Sequence, residues 1–226
     1  MADEPLCVES DGGGVGAIIL AAGSSSRMGF PKQTLRFRGQ TLLRRAALAA
    51  LGAGLRPVVV VTGAHAEPSR RELEGLAVRE VSNSLWESGM ASSIRAGVEG
   101  LVGADPEAAA AVLMLCDQPH LTSEIISGLV EAHRATGRPV VASTYGGSFG
   151  VPALFGRALF AELARLEGAA GAKQVIKRHA SEAHFLSFPG GEVDVDTPDD
   201  FSRLTEGDLG QEQDGRSPDD RASEVR

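Results

Sequence analysis

Gly16-Ala-Ile-Ile-Leu-Ala-Ala-Gly-Ser-Ser-Ser-Arg-Met-Gly-Phe-Pro-Lys32 sets a short apolar run directly against a loop of small residues. Gly16–Leu20 has the length and apolar content of a strand buried on both faces. Beyond it, small side chains from Ala21 to Ser26 let backbone amides approach a ligand closely. Such amides, helped by serine hydroxyls, can hold a polyphosphate. Arg27 and Lys32 then stand as the cations a triphosphate needs. A Walker loop requires Gly-Lys-Ser/Thr at its end, whereas Gly29 is followed by Phe30-Pro31. The glycines at 12, 14 and 16 precede the strand instead of following it, which excludes a dinucleotide fingerprint. On composition alone, a plain surface loop is an equal reading.

Working outward, three more short apolar runs punctuate the chain: Pro57–Thr62, Ala111–Cys116 and Pro139–Ser143. Helical patterns lie between them. Thr41–Leu51 places Leu43, Ala47 and Leu51 on one face, and Ile125–His133 does the same with Ile126, Leu129 and Val130. Buried strands alternating with helices predict a three-layer α/β/α domain with a mostly parallel, Rossmann-like sheet. Ligands of that architecture bind beyond the C-terminal ends of the strands, so the chemistry is sought where the apolar runs stop.

The chain has 226 residues and a formal net charge of −8. That charge is confined to the ends. Residues 1–14 are acidic and glycine-rich and read as a flexible tail; residues 206–226 are polar and aperiodic and read as a disordered acidic tail. The stretch 15–205, expected to be the folded domain, has as many basic as acidic residues. A neutral domain lacks the electrostatic footprint of a nucleic-acid binder. Cys7 and Cys116 suit neither a disulfide nor a thiolate metal site. No apolar run approaches the ~18 residues of a membrane span. Met1-Ala-Asp-Glu-Pro5 lacks the basic and apolar regions of a signal peptide. The cytoplasm is the expected location, with no membrane and no nucleic-acid partner.

Three further stretches follow strand ends or precede helices. Asp117-Gln-Pro closes the run Ala111–Cys116, where a carboxylate at the ligand edge of the sheet can hold Mg²⁺; a turn or cap role is the competing reading. In Val193-Asp-Val-Asp-Thr-Pro-Asp-Asp200, Thr197 as N-cap and Pro198 at the first helical position make a well-formed helix start. That leaves Asp194 and Asp196, which by alternation share one face of a short predicted strand. Two carboxylates on one face need a cation or a base between them. Asn83-Ser-Leu-Trp-Glu-Ser-Gly-Met-Ala-Ser-Ser93 carries the only tryptophan, a glycine turn, then Ser92 and Ser93, which either cap a helix or read a base. His65 and His120 are expected to be loop residues.

Taken in order from Ala17 to about Leu204, these segments resemble the MobA-like NTP-transferase family. Within it, Leu20-Ala-Ala-Gly23 and Gly89-Met-Ala-Ser-Ser-Ile94 are most similar to the molybdenum cofactor cytidylyltransferases. The resemblance implies transfer of CMP from CTP to the molybdopterin form of the cofactor, with release of pyrophosphate and Mg²⁺ as cofactor. It implies nucleotide contacts from Leu20, Ala21, Ala22, Gly23, Gly89, Ser92 and Ser93, with Arg27 and Lys32 on the phosphates. Arg27, Lys32 and Asp117 would be the catalytic residues, and Asp117 with an acid of the Asp194/Asp196 pair the metal ligands. A recipient molybdoenzyme is an implied partner. The chain departs from the cofactor-specific pattern at Phe149-Gly-Val-Pro152 and at Gly168-Ala-Ala-Gly-Ala172, both expected towards the acceptor. The same chemistry on another phosphorylated acceptor or with another NTP is therefore an alternative, as is a non-catalytic carrier of nucleotide or molybdopterin.

Overall fold

Four successive valines, Val58–Val61, have almost no surface exposed to solvent, as a strand covered on both sides requires. In the computed structural model, residues 13–214 are described. The chain runs β1 (Val15–Ala21), β2 (Arg36–Phe37), β3 (Gln40–Thr41), α1 (Leu42–Gly52), β4 (Val58–Thr62), α2 (Ala66–Glu72), β5 (Arg79–Ser82) and α3 (Met90–Ala104). It continues β6 (Ala110–Leu115), α4 (Ser123–Thr136), β7 (Val140–Tyr145), β8 (Ser148–Gly156), α5 (Phe160–Ala164), α6 (Lys173–Arg178), β9 (Ala183–Ser187) and α7 (Pro198–Asp214).

The main sheet has seven strands in the order β5-β4-β1-β6-β8-β7-β9. All neighbours are parallel except the pairs made by β8, which is antiparallel to both β6 and β7. This is the mostly parallel, three-layer arrangement expected from the alternation of strands and helices. The sequence did not reveal β5, β8 or β9. β5 and β9 are edge strands with half-exposed, mixed residues, and β8 contains Pro152, which normally argues against a strand inside a sheet. Here the pairing of β7 with β8 jumps from Ala142–Ala153 to Ser143–Gly150. Val151 and Pro152 thus sit in an irregularity of the kind that tolerates proline.

Two cores flank the sheet. On one side Leu43, Ala46, Ala47 and Ala50 of α1 and Ile126, Leu129 and Val130 of α4 pack on alternate residues of β1, β4 and β6. On the other side Ile94, Val98 and Leu101 of α3 join Leu163 of α5 and Val175 and Ile176 of α6. α3 lies so close to the sheet that a Cβ on Gly97 would stand 2.4 Å from Ile18 Cγ2. A third, smaller cluster joins Met28, Leu35, Phe37, Leu42, Val195 and Leu204. It pins the segment before α7 against the loop that follows β1.

One sequence expectation needs correction. Asp194 and Asp196 do not lie on a strand; Val193–Asp196 is an extended loop. The alternation is real, since Val195 is fully buried between the two acids, but the third core produces it instead of sheet pairing. Helix α7 spans Pro198–Asp214 and so crosses the boundary expected at residue 205. Its start is well defined: the Asp200 N–H donates to Thr197 Oγ1, and the Thr197 N–H donates to Asp200 Oδ2 at 2.9 Å, a reciprocal cap that stabilises the first turn. The expectations for residues 1–12 and 215–226 lie outside the described residues. Among those described, no helix is long and apolar enough to cross a membrane.

Candidate active site

A cleft of about 380 Å³ opens at the C-terminal ends of β1 and β6. Leu20, Ala21, Ala22, Gly23, Lys32, Gly89, Ser93 and Asp117, all singled out from the sequence, line it. So do Gln33 and Trp86, to which the sequence reading gave no role.

The loop after β1 is held from within. Gln33 is completely buried; its Nε2 donates to the carbonyls of Ala21 (3.0 Å) and Gly23 (3.1 Å). Its Oε1 accepts from the Ser25 hydroxyl, and Ser25 Oγ in turn accepts from the Lys32 N–H at 3.1 Å. Ser25 adopts a left-handed φ of 52°, and its carbonyl accepts from both Met28 and Gly29. These bonds consume the loop's carbonyls and close its ends on each other. Adjacency to Lys32 was the one signal for Gln33 in the sequence, and an uncharged polar residue beside a proline carries little information by itself.

Lys32 is the electrostatic centre. Its Nζ donates to Asp117 Oδ2 at 2.5 Å and to Asp196 Oδ1 at 2.9 Å. Burial alone would lower the lysine's pKa, but Asp117 and Asp196 outweigh it and hold it well above its ordinary value. Arg27 reaches the other oxygen of Asp196 at 2.8 Å from an exposed position at the rim. The base that two neighbouring carboxylates require is therefore supplied by the protein. Both oxygens of Asp196 are thus engaged by cationic side chains in the absence of ligand.

Asp117 and Asp194 differ. Asp117 is buried, and its Oδ1 has no hydrogen-bond partner. The backbone of Asp117 is fixed by the Val195 N–H donating to its carbonyl. Asp194 has an open edge to solvent, yet the protein atoms crowding its carboxyl, together with Asp117 and Asp196 nearby, push its pKa up to about 7. Among the described residues no three His, Cys, Asp or Glu converge as a ready-made metal site. Mg²⁺ is normally bound through one or two carboxylates plus substrate phosphates and waters. An orphaned Asp117 oxygen beside the excess negative charge of Asp194 fits that demand.

The opposite wall is the turn before α3. Gly89 takes φ 112°, and a Cβ there would lie 2.2 Å from the Gly168 carbonyl oxygen, so only glycine fits. Ser92 and Ser93 do not cap α3, whose N-terminus has no side-chain cap. Instead both hydroxyls accept from Asn83 Nδ2. Ser93 faces the cleft, whereas Ser92 is absent from its lining. His65 supports the loop through its Nε2 and the Ser24 carbonyl, and His120 packs edge-on against Phe37, both as loop residues. Cys116, in the cleft wall, is a free buried thiol pushed up to about 12 by burial and by Asp117.

A mostly parallel sheet with a small-residue loop, paired cations and a free carboxylate oxygen at its ligand edge defines a nucleotide-handling α/β enzyme. The chain belongs to the MobA-like NTP transferase family, whose domain model matches residues 17–183. It is 38% identical over 128 residues to nicotine blue oxidoreductase of Paenarthrobacter nicotinovorans. That match covers 53% of this chain and 57% of the relative, so the chain spans little more than half of that protein's length. The crystal structure of Rv0371c from Mycobacterium tuberculosis H37Rv superposes with a TM-score of 0.74 at 31% identity, over 86% of this chain and 98% of that one. A manganese complex of Rv0371c matches with a TM-score of 0.69 at 31% identity, over 85% and 98%.

Proposed function

We propose that this protein is a nucleotidyltransferase that moves CMP from CTP to the molybdopterin form of the molybdenum cofactor, with a divalent cation, Mg²⁺, and release of pyrophosphate. The observation that carries the reaction class is Lys32, poised between Asp117 and Asp196 at the floor of the cleft, with Asp117 Oδ1 left over. The choice of CTP and of molybdopterin rests on the resemblance of Leu20–Gly23 and Gly89–Ile94 to the cofactor cytidylyltransferases. The manganese complex of the mycobacterial relative supports a divalent cation.

In this reading the triphosphate lies against the amides of Ala21–Ser24. Lys32 and Arg27 turn from the carboxylates to its phosphates. Asp117 and Asp194 would hold the cation, which supplies Lewis-acid stabilisation of charge on the phosphates. A phosphate oxygen of the acceptor attacks the α-phosphorus in line, and the bond to the bridging oxygen of pyrophosphate breaks. Lys32 meets the charge that grows on the leaving group in a site that is partly closed to water. No side-chain nucleophile is used. The acceptor phosphate is already ionised near neutral pH, with a second pKa of about 6, so no general base is required either. On the acceptor side, Gln118 Nε2 donates to the carbonyls of Val151 and Gly191, fixing Phe149–Pro152 beside the loop of Asp194.

The test is pyrophosphate release with Mg²⁺ and each of the four NTPs, with and without molybdenum-loaded molybdopterin. Release with CTP that depends on the cofactor is the expected result. Release only with a sugar phosphate or an alcohol phosphate would keep the chemistry and replace the acceptor. Nucleotide binding without release under any pairing would sink the enzymatic reading of this site in favour of a carrier.

A further inference from the structure

Asn83 is a buried amide whose orientation is fixed by a group that can only donate. The Leu85 N–H bonds to its Oδ1 at 2.9 Å, so Nδ2 must face the two serines. Its two protons go to Ser92 Oγ at 2.8 Å and Ser93 Oγ at 3.0 Å. Both hydroxyls are thereby held as acceptors towards the protein, and each keeps its own proton to give elsewhere. Ser92 gives its proton back to the turn, to the carbonyls of Leu85 (2.9 Å) and Gly89 (2.8 Å). The Ser93 hydroxyl has no acceptor among the described residues, and Ser93 is the serine that lines the cleft.

We propose that Asn83 is a positioning residue that commits Ser93 to donate a hydrogen bond to a carbonyl-type acceptor on the base of the bound nucleotide. The inference rests on the reading of the cleft as an NTP site and adds to it the polarity of one contact. An amide at position 83 makes Ser93 a donor to ligand. A carboxylate there would accept the serine proton and turn the hydroxyl's lone pairs to the cleft, where a carbonyl is repelled. Selectivity for a base carrying a carbonyl then comes from a residue that touches no ligand.

The test is calorimetric titration of the full-length protein with CTP and with 2-thio-CTP, whose sulfur is a poor acceptor in place of O2. Wild type is expected to prefer CTP by about tenfold, the value of one well-made hydrogen bond in a desolvated site. In Asn83→Asp the preference should fall to within about twofold, and Ser93→Ala should match it. If Asn83 merely supports the turn, Asn83→Asp weakens both ligands alike and the ratio survives, which overturns the proposal. Should Asn83→Asp not fold, Ser93→Ala decides: a preserved preference refutes it. Wild type that binds CTP and 2-thio-CTP equally also refutes it. Wild type that binds GTP but no pyrimidine overturns the CTP assignment instead, and the same comparison with 6-thio-GTP then decides the role of Asn83. Failure to bind any NTP overturns the NTP-site reading, and with it the proposal.

Discussion

Lys32 Nζ lies between Asp117 Oδ2 and Asp196 Oδ1, closing with its own charge the space where two acids would otherwise repel. A divalent cation and this ammonium compete for the same carboxylate. Lys32→Met should therefore raise the affinity for Mn²⁺ alone, by about tenfold, while weakening binding of the triphosphate by a similar factor. Electron paramagnetic resonance of free Mn²⁺ without nucleotide reads the first effect, and calorimetry with CTP reads the second. Unchanged Mn²⁺ binding would show that Lys32 does not occupy the cation's place.

Asp117→Asn keeps the shape of the side chain and removes the charge from the buried oxygen that has no partner. Turnover should fall by about a hundredfold or more, the scale of losing one preorganised electrostatic contact in a desolvated site. Nucleotide binding should persist, because the loop amides and Lys32 remain. Stopped-flow pyrophosphate release separates the two effects. Near wild-type turnover would remove Asp117 from the cation site.

Much of this arrangement was legible because buried parallel strands announce themselves. Val58–Val61 and Ala111–Cys116 are continuous apolar runs, and the residues just beyond them are where ligands sit. The edge strands β5 and β9 were silent because a half-exposed edge needs no apolar run. β8 was hidden by Pro152, whose place in a bulged pairing depends on β7. At the site, Lys32 and Asp117 could be named from position, but their contact spans 85 residues of chain. The ion pairs of Asp196 with Arg27 and Lys32 were not legible, because a sequence shows that two acids need a neutralising charge without showing which side chain delivers it. Gln33 and Asn83 act only through hydrogen bonds to neighbours, and such roles leave no mark on composition or periodicity.

Glu162 on α5 accepts from His179 Nε2 at 2.7 Å and from Arg178 Nε, tying α5 to the end of α6. The bond to Glu162 raises the pKa of His179 despite some burial. Burial would raise that of Glu162, but His179 and Arg178 outweigh it and lower it. The histidine's contribution to stability is complete below its unfolded pKa of about 6.5 and is lost as pH rises through the folded value. The glutamate's contribution is present above its unfolded value of about 4.3 and is lost as pH falls further. The melting temperature of wild type should exceed that of His179→Asn most between about pH 5 and 6, and the difference should shrink as pH rises above the unfolded histidine value of about 6.5. A difference independent of pH would mean that packing, not charge, joins the two helices.

Gly97 is a point of close approach between α3 and the sheet. A Cβ there would stand 2.4 Å from Ile18 Cγ2 and 3.2 Å from Val61 Cγ2, in a core without free space on either strand. Gly97→Ala gains helix propensity worth about 1 kcal/mol, yet overpacking of this kind costs about 1–3 kcal/mol. The collision outweighs the gain, so the melting temperature should drop by a few degrees, on the order of 2–4 °C per kcal/mol for a domain of this size. Gly103 sits on the same helix with nothing within 4 Å of its would-be Cβ, so Gly103→Ala gains the propensity without the collision and should raise the melting temperature. Opposite shifts for the same substitution at these two positions of one helix would show that α3 is seated by contact with Ile18 and not by helix propensity. Because the first turn of α3 presents Ser93 to the cleft, Gly97→Ala should also weaken nucleotide binding, and Gly103→Ala should leave it alone.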